Sequence, residues 1–265
     1  MRTSWGAATH TGGRRRVNED AVLARAPVFV VADGMGGHER GDMASQAVVA
    51  EFDALATELN DAQRPAHPHD VSAAIDRARR QITATIADDT GDRVAGSTVA
   101  GLVLTHQDGD DYWLVFNVGD SRTYRFADGA LEQVSVDHSL VQELVESGTI
   151  TADEARSHPQ RNIITRAVGT GSAPEIDYWM LPVRGQELFL ICSDGLAGEL
   201  SDAQIENLLR TSPHPQQAVH ALLSAAIRNG GAGDNVTVVV VAAVSHDGDE
   251  EAADTTLPRP ARAGG

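Results

Sequence analysis

Five short apolar runs punctuate the chain: 28–32 (VFVVA), 96–104 (GSTVAGLVL), 113–118 (WLVFNV), 188–192 (LFLIC) and 236–244 (VTVVVVAAV). Each has the length and continuity of a buried strand. Between them lie stretches with helical spacing. Over 42–59 the apolar residues fall at Ala47, Val48, Phe52, Leu55, Ala56 and Leu59, and over 71–87 at Ile75, Ala78, Ile82 and Ile86. Segments 201–209 and 216–227 read as helices as well, with Ser201 as an N-cap. Pro65 and Pro68 predict a loop over 60–70. Strands and helices come in runs, the helices in pairs, with no strict βαβ alternation. That order predicts an α+β fold: two sheets packed face to face with helices outside.

Composition narrows the chemistry. The chain has 265 residues, 42% hydrophobic and 22% charged, enough for a substantial core in one large domain or two small ones. Its 38 acids outnumber 21 bases for a net charge of −17, and every base is arginine. Without lysine there is no Walker A phosphate loop, no protein-kinase strand lysine and no Schiff-base chemistry. The acidic excess also argues against nucleic acid as a partner. Cys192 is the single cysteine, so no intrachain disulfide forms, and its place in an apolar run predicts a buried, inert thiol. No apolar signal core occupies 1–11, and the longest apolar run, 236–244, is too short to span a bilayer. The expectation is a soluble cytoplasmic protein that does not engage membranes. Residues 245–265 carry five acids and two arginines, with Leu257 their one large aliphatic residue, and are expected to be a disordered tail behind a folded body of 1–244.

Carboxylates gather at the ends of the strands. Asp33 follows 28–32 and leads into Gly34-Met35-Gly36-Gly37; Asp120 follows 113–118 after one glycine. Asp194 follows 188–192, Asp234 stands just before the last strand, and Glu19-Asp20 precede Ala21-Val22-Leu23. One Asp-Gly alone is an ordinary turn. Several acids brought together are another matter, because like charges repel and raise one another's pKa unless cations separate them. Hard oxygen ligands suit Mg²⁺ or Mn²⁺, and glycine lets backbone, including a ligating carbonyl, come close. Other readings fail on single residues. Glu39 stands where a dinucleotide fingerprint needs its third glycine, and Ile191–Gly195 lacks the first glycine of a nucleophile elbow. No HExxH or paired-cysteine zinc spacing occurs.

Taken in order, eight short motifs resemble those of the bacterial type 2C metal-dependent Ser/Thr protein phosphatases. They are Gly12-x-x-Arg15-x-x-Asn18-Glu19-Asp20, Val31-Ala32-Asp33-Gly34-Met35-Gly36-Gly37, Gly96-Ser97-Thr98 and Asn117-Val118-Gly119-Asp120-Ser121-Arg122, followed by Asp137-His138-Ser139-Leu140-Val141, Asn162–Gly169, Cys192-Ser193-Asp194-Gly195 and Gly233-Asp234-Asn235-Val236-Thr237. The resemblance covers nearly the whole body. It implies a four-layer α-β-β-α sandwich of two antiparallel sheets flanked by helices, with a metal cleft at one edge. It also implies hydrolysis of phosphoserine and phosphothreonine in proteins by a metal-bridging water that attacks phosphorus directly. By that resemblance Asp33 bridges two ions, Asp194 and Asp234 complete the first shell, the Gly34 carbonyl binds the second ion, and Glu19 and Asp20 act through bound waters. Asp120 with Asp194 would hold a third ion, and Arg15, four residues before Glu19, would grip the substrate phosphate. The chemistry agrees, since phosphoryl transfer asks mainly for positioning and charge neutralisation, and a guanidinium fork holds two phosphate oxygens at once.

The chain departs from the eukaryotic pattern at Met35, where a histidine serves as candidate general acid. His38 or a metal-bound water is left for that task, the plain alternative being that His38 is an exposed loop residue. Residues 138–168 resemble the family's flap, with a short helix near 140–147, a stop at Gly148 and a capping-type start at Thr151-Ala152-Asp153-Glu154; an ordinary surface helix pair is the alternative. Expected partners are phosphoproteins made by a Ser/Thr kinase, and the chain is expected to be a monomer. The rival reading is a catalytically silent module that binds phosphopeptides.

Overall fold

Both faces of the central strands are buried, and that explains why their sequences are continuously apolar. In the computed structural model, which describes residues 2–36, 40–87, 94–228 and 232–244, the elements run β1 (Arg2–His10), β2 (Asp20–Arg25), β3 (Val28–Met35), α1 (Arg40–Ala62), α2 (Pro68–Ala87), β4 (Gly96–Ser97), β5 (Val99–Gln107) and β6 (Asp110–Val118). They continue with β7 (Arg122–Ala127), β8 (Ala130–Gln133), α3 (Leu140–Glu146), α4 (Ala152–Ser157), β9 (Asp177–Pro182), β10 (Glu187–Cys192), α5 (Asp194–Glu199), α6 (Asp202–Thr211), α7 (Pro215–Arg228) and β11 (Val236–Val244). One antiparallel sheet has the order β1-β11-β10-β7-β8; the other has β2-β3-β5-β6-β9, with β4 paired to β3.

Side chains alternate across each strand. In β3, Val28, Val30 and Ala32 pack with Val48, Phe52 and Ile75 of α1 and α2. Phe29 and Val31 point the other way, toward Trp113, Val115, Phe189, Ile191, Val239 and Val241 between the sheets. In β11, Val236, Val238 and Val240 pack with Leu196, Ile205, Val219 and Leu222 of α5, α6 and α7. The layers are therefore helix, sheet, sheet, helix, as the resemblance implies. Between the sheets the Trp113 ring lies 6.4 Å from Phe29 and 5.5 Å from Phe189. Cys192 is fully buried, and burial pushes its thiol up to about 12, so it is inert as expected.

Two local expectations are corrected. The loop expected over 60–70 shrinks to 63–67, because α1 continues to Ala62 and α2 begins at Pro68, a position in the first helical turn that proline tolerates. The run 96–104 is split at Thr98 into β4 and β5, because the Thr98 hydroxyl takes the Asp33 N–H at 3.0 Å. Strands β1, β7, β8 and β9, too mixed in polarity to stand out as apolar runs, complete the sheets. Helix starts follow the capping pattern: Ser201 with Gln204 and Thr151 with Glu154 form reciprocal capping boxes. His38 and the tail 245–265 lie outside the described residues.

Candidate metal centre

Pairing of β2 with β3 sets the first two acids in place. Asp20 lies directly opposite Asp33 across the ladder, an arrangement of like charges that costs stability by itself. Asp20 is 7% exposed, and its Oδ2 accepts hydrogen bonds from Ser193 Oγ (2.8 Å) and Thr237 Oγ1 (2.7 Å). Hydroxyls just after β10 and within β11, in one sheet, thus hold a carboxylate of β2 in the other. Asp33 lies inside β3 and not beyond it. Its carbonyl accepts from Thr98 N–H at 2.9 Å and Ser97 Oγ at 3.1 Å, which fixes the backbone on either side of the carboxylate. Asp194 opens α5 and Asp120 sits in the turn after β6. Asp234 lies just before β11, and its Oδ2 accepts from Arg15 Nη2 at 2.6 Å.

The segment 11–19 is clasped from several sides. Asn235 Oδ1 accepts from Glu19 N–H at 2.9 Å, while Asn235 Nδ2 donates to the carbonyls of Thr11 and Val17. The Glu19 carbonyl takes Ser45 Oγ at 2.6 Å and Gly34 N–H at 3.1 Å. Gly34 has no room for a side chain, since a Cβ there would lie 2.0 Å from the Gly41 carbonyl oxygen. Its glycine serves close backbone approach, as expected.

The acids feel one another. Burial pushes the Asp20 carboxyl up to about 7, with Asp194 and Asp234 adding to the rise against the hydroxyl bonds. Asp33 is raised well above the carboxylate range by burial and then by Asp194, Asp20, Asp120 and Asp234. Burial and then Asp194 and Asp137 raise Asp120; burial and then Asp234 raise Asp194, against a hydrogen bond with Asp33.

The donor set fits a hard divalent cation. Glu19 Oε1, Asp20 Oδ1, Asp120 Oδ1 and Asp194 Oδ1 are all buried with no hydrogen-bond partner among the described residues. Orphaned carboxylate oxygens are costly, and acids that repel one another call for positive charge between them. All are oxygen donors, which suits Mn²⁺ or Mg²⁺. Among the described residues no group of three or more acidic, His or Cys side chains is arranged so that together they could hold a metal ion. That accords with ions that keep several waters and take part of their shell from backbone. Asp20, Asp33, Asp120 and Asp194 lie near enough to neighbouring acids, Asp234 among them, to be raised by them, and Arg15, half exposed, pairs with Asp234 and feels Glu19 and Asp33.

Beside Asp120 and Asp194 opens a cleft of about 430 Å³, walled on the far side by α3, α4 and the segment through Arg161 and Asn162. Arg156 of α4 faces Asp202 of α6 at 3.6 Å across it. Residues given no role from sequence stand around the site as supports. Arg122 grips Asp137 with three bonds of 2.6–3.0 Å; His138 is buried against Gly119; Ser193, Thr98 and Asn235 hold the acids described above. Each lies inside a motif read from the sequence, but only the contacts give it a task.

A family model described as Protein phosphatase 2C matches residues 11–229, and the chain belongs to that family. It is 38% identical over 243 residues to the serine/threonine protein phosphatase PstP of Mycobacterium tuberculosis; this covers 92% of the chain but 45% of PstP, so the chain spans about half the length of that relative. The serine/threonine phosphatase stp of Listeria innocua is 30% identical over 88% of the chain and 93% of its own length. The crystal structure of the catalytic domain of PstP in complex with two manganese ions superposes with a TM-score of 0.79 at 33% identity, covering 92% of this chain and 99% of that one.

Proposed function

We propose that residues 1–244 form a metal-dependent protein phosphatase domain that hydrolyses phosphoserine and phosphothreonine in proteins, taking as substrates the products of a Ser/Thr kinase. The observation that carries this reading is the set of four buried, unpartnered carboxylate oxygens on Glu19, Asp20, Asp120 and Asp194, gathered beside Asp33 and Asp234. A module that only bound phosphopeptides would gain nothing from so many mutually repelling acids. Bound there, divalent ions supply a water of lowered pKa and offset the charge of the phosphoryl group. Asp33, Asp194 and Asp234 would hold the first pair of ions with the Gly34 carbonyl, Glu19 and Asp20 through water, and Asp120 with Asp194 a third; Mg²⁺ serves as well as Mn²⁺.

The chain's own residues do the rest. Arg15, half exposed and paired with Asp234 at 2.6 Å, would turn its guanidinium fork to two phosphate oxygens. Asp137 keeps Arg122 occupied, so that cation does not fill the metal pocket. Cys192 is buried with a raised pKa, which leaves no cysteine route to a phosphoenzyme. His38 is the candidate proton donor to the leaving group; a pH–rate profile left unchanged by His38→Ala would remove it from that role. Segment 138–168 acts as a flap over the peptide side of the cleft. A cytoplasmic location, which the single free and buried thiol supports, and a monomeric state belong to the same reading. Phosphate release from a phosphothreonine peptide with Mn²⁺, with Mg²⁺ or with chelator tests the whole reading. Release with metal and none with chelator is expected; no metal-dependent release overturns it.

A further inference from the structure

The Asp120 turn is tied to the root of the flap by one buried side chain. His138 is 6% exposed and makes two backbone-level contacts with Gly119: its Nδ1 accepts the Gly119 N–H at 3.0 Å, and its own N–H donates to the Gly119 carbonyl at 2.9 Å. An Nδ1 that accepts from an amide carries a lone pair, so the ring proton sits on Nε2. There it donates to Asp177 Oδ2 at 3.1 Å; Arg166 Nη1, 3.1 Å from the same ring nitrogen, donates to the other oxygen of that carboxylate at 3.1 Å. Asp177 begins β9 directly opposite Asn117 of β6, and Asn117 Nδ2 also donates to the Gly119 carbonyl at 2.9 Å. The ring is therefore clamped on both nitrogens by groups anchored in the sheet.

What the clamp holds is a backbone with little freedom of its own. Gly119 has φ +104°, and a Cβ there would lie 2.6 Å from Thr98 Cγ2, so only glycine fits. The next residue is Asp120, with its buried Oδ1 unpartnered. On the other side of His138 the flap begins. The His138 carbonyl accepts from Thr165 N–H at 2.9 Å, Leu140 N–H donates to the Ile163 carbonyl at 2.9 Å, and Ser139 bridges Ile164. The two ends of the flap segment meet at this residue.

We propose that His138 is a positioning residue: it holds Gly119 so that Asp120 presents its carboxylate to a cation, and through Thr165 and Arg166 it links that aim to the closed root of the flap. This rests on the metal reading given above. A ligand fixed by its neighbours binds more tightly than one that must be ordered first, and loss of such support typically costs 10- to 100-fold in metal affinity.

The test is Mn²⁺ binding by titration calorimetry on the purified chain, comparing wild type, Asp120→Ala, His138→Leu, His138→Asn and the double variant. Leu removes both ring contacts at similar volume; Asn keeps an acceptor where Nδ1 stood. Expected is a loss of about tenfold or more at the weakest Mn²⁺ site in His138→Leu, the same site lost in Asp120→Ala, and no further loss in the double variant. His138→Asn should recover most of the affinity. An isotherm for His138→Leu equal to wild type, or losses that add in the double variant, overturns the proposal. Wild type that binds no Mn²⁺ overturns the metal reading instead. Should His138→Leu fail to fold by circular dichroism, His138→Asn and Asp177→Asn decide the matter. Affinity kept by the first and weakened by the second supports the proposal; equal wild-type binding in Asp177→Asn, or a site lost in His138→Asn, overturns it.

Discussion

The same strands build two opposite environments. Midway along them, between the sheets, Phe29, Val31, Trp113, Val115, Phe189, Ile191 and Val239 are fully buried and apolar, with aromatic rings in edge-on contact. At their ends stand the buried Asp20 and Asp120 and the half-buried Asp33 and Asp194, raised in pKa by burial and by neighbouring acids, with unpartnered oxygens on Asp20, Asp120 and Asp194. The first region lowers the free energy of the fold through burial. The second raises it until a cation or a proton arrives. Function here is a local cost carried by a core that is stable without it, which is why the acids sit at strand ends fixed by the sheets and not on free loops.

The largest expected effect comes from breaking the second region alone. Asp33→Asn should lower phosphopeptide turnover with Mn²⁺ by about 10²- to 10³-fold or more, on the scale of removing one preorganised charge group. The melting temperature of the metal-free protein should not fall, because a buried, repelled carboxyl is replaced by a neutral amide. A turnover within threefold of wild type, or a clear drop in metal-free stability, would erase the contrast between the regions.

Breaking the first region should do the reverse. Trp113→Ala is expected to cost about 3–5 kcal/mol by denaturant unfolding, with turnover per folded molecule nearly unchanged. Trp113→Phe should cost much less, because the indole N–H is already without a hydrogen-bond partner among the described residues. A large loss of activity in folded Trp113→Phe would show that core and site are not separable.

The smallest effect reports the cost of the acids directly. The Asp20 carboxyl is pushed up to about 7, whereas in the unfolded chain it titrates near the ordinary value of about 4. The native state therefore keeps a proton that the unfolded state has lost, and metal-free stability should fall as pH rises from about 4 to about 7. Mn²⁺ needs the deprotonated form, so its stabilisation should grow across the same window. At 100-fold excess over Kd the gain is about 2.7 kcal/mol, or roughly 5–10 °C for a domain of this size. Melting curves at pH 5 and pH 7, with Mn²⁺ and with chelator, measure it; a gain that shrinks with pH would mean the acids are not the binding groups.

Sequence by itself determined a good deal. The apolar runs that became β3, β5, β6, β10 and β11 were legible because strands buried on both faces leave no room for polar residues. The acids at their ends were legible because carboxylates beside buried strands have few other uses, whereas Arg15 stood out only through the family resemblance. Strands β1, β7, β8 and β9 were not legible, since strands of mixed polarity carry a weaker pattern. Only the tertiary structure decided which polar side chains hold which acids. Asp20 rests on hydroxyls from Ser193 and Thr237, more than 170 residues away along the chain, and Asp120 rests on the Gly119 backbone held by His138. A local pattern records whether a residue is buried. It cannot record a partner that only folding brings near, because hydrogen bonds act over about 3 Å of space whatever the separation in sequence.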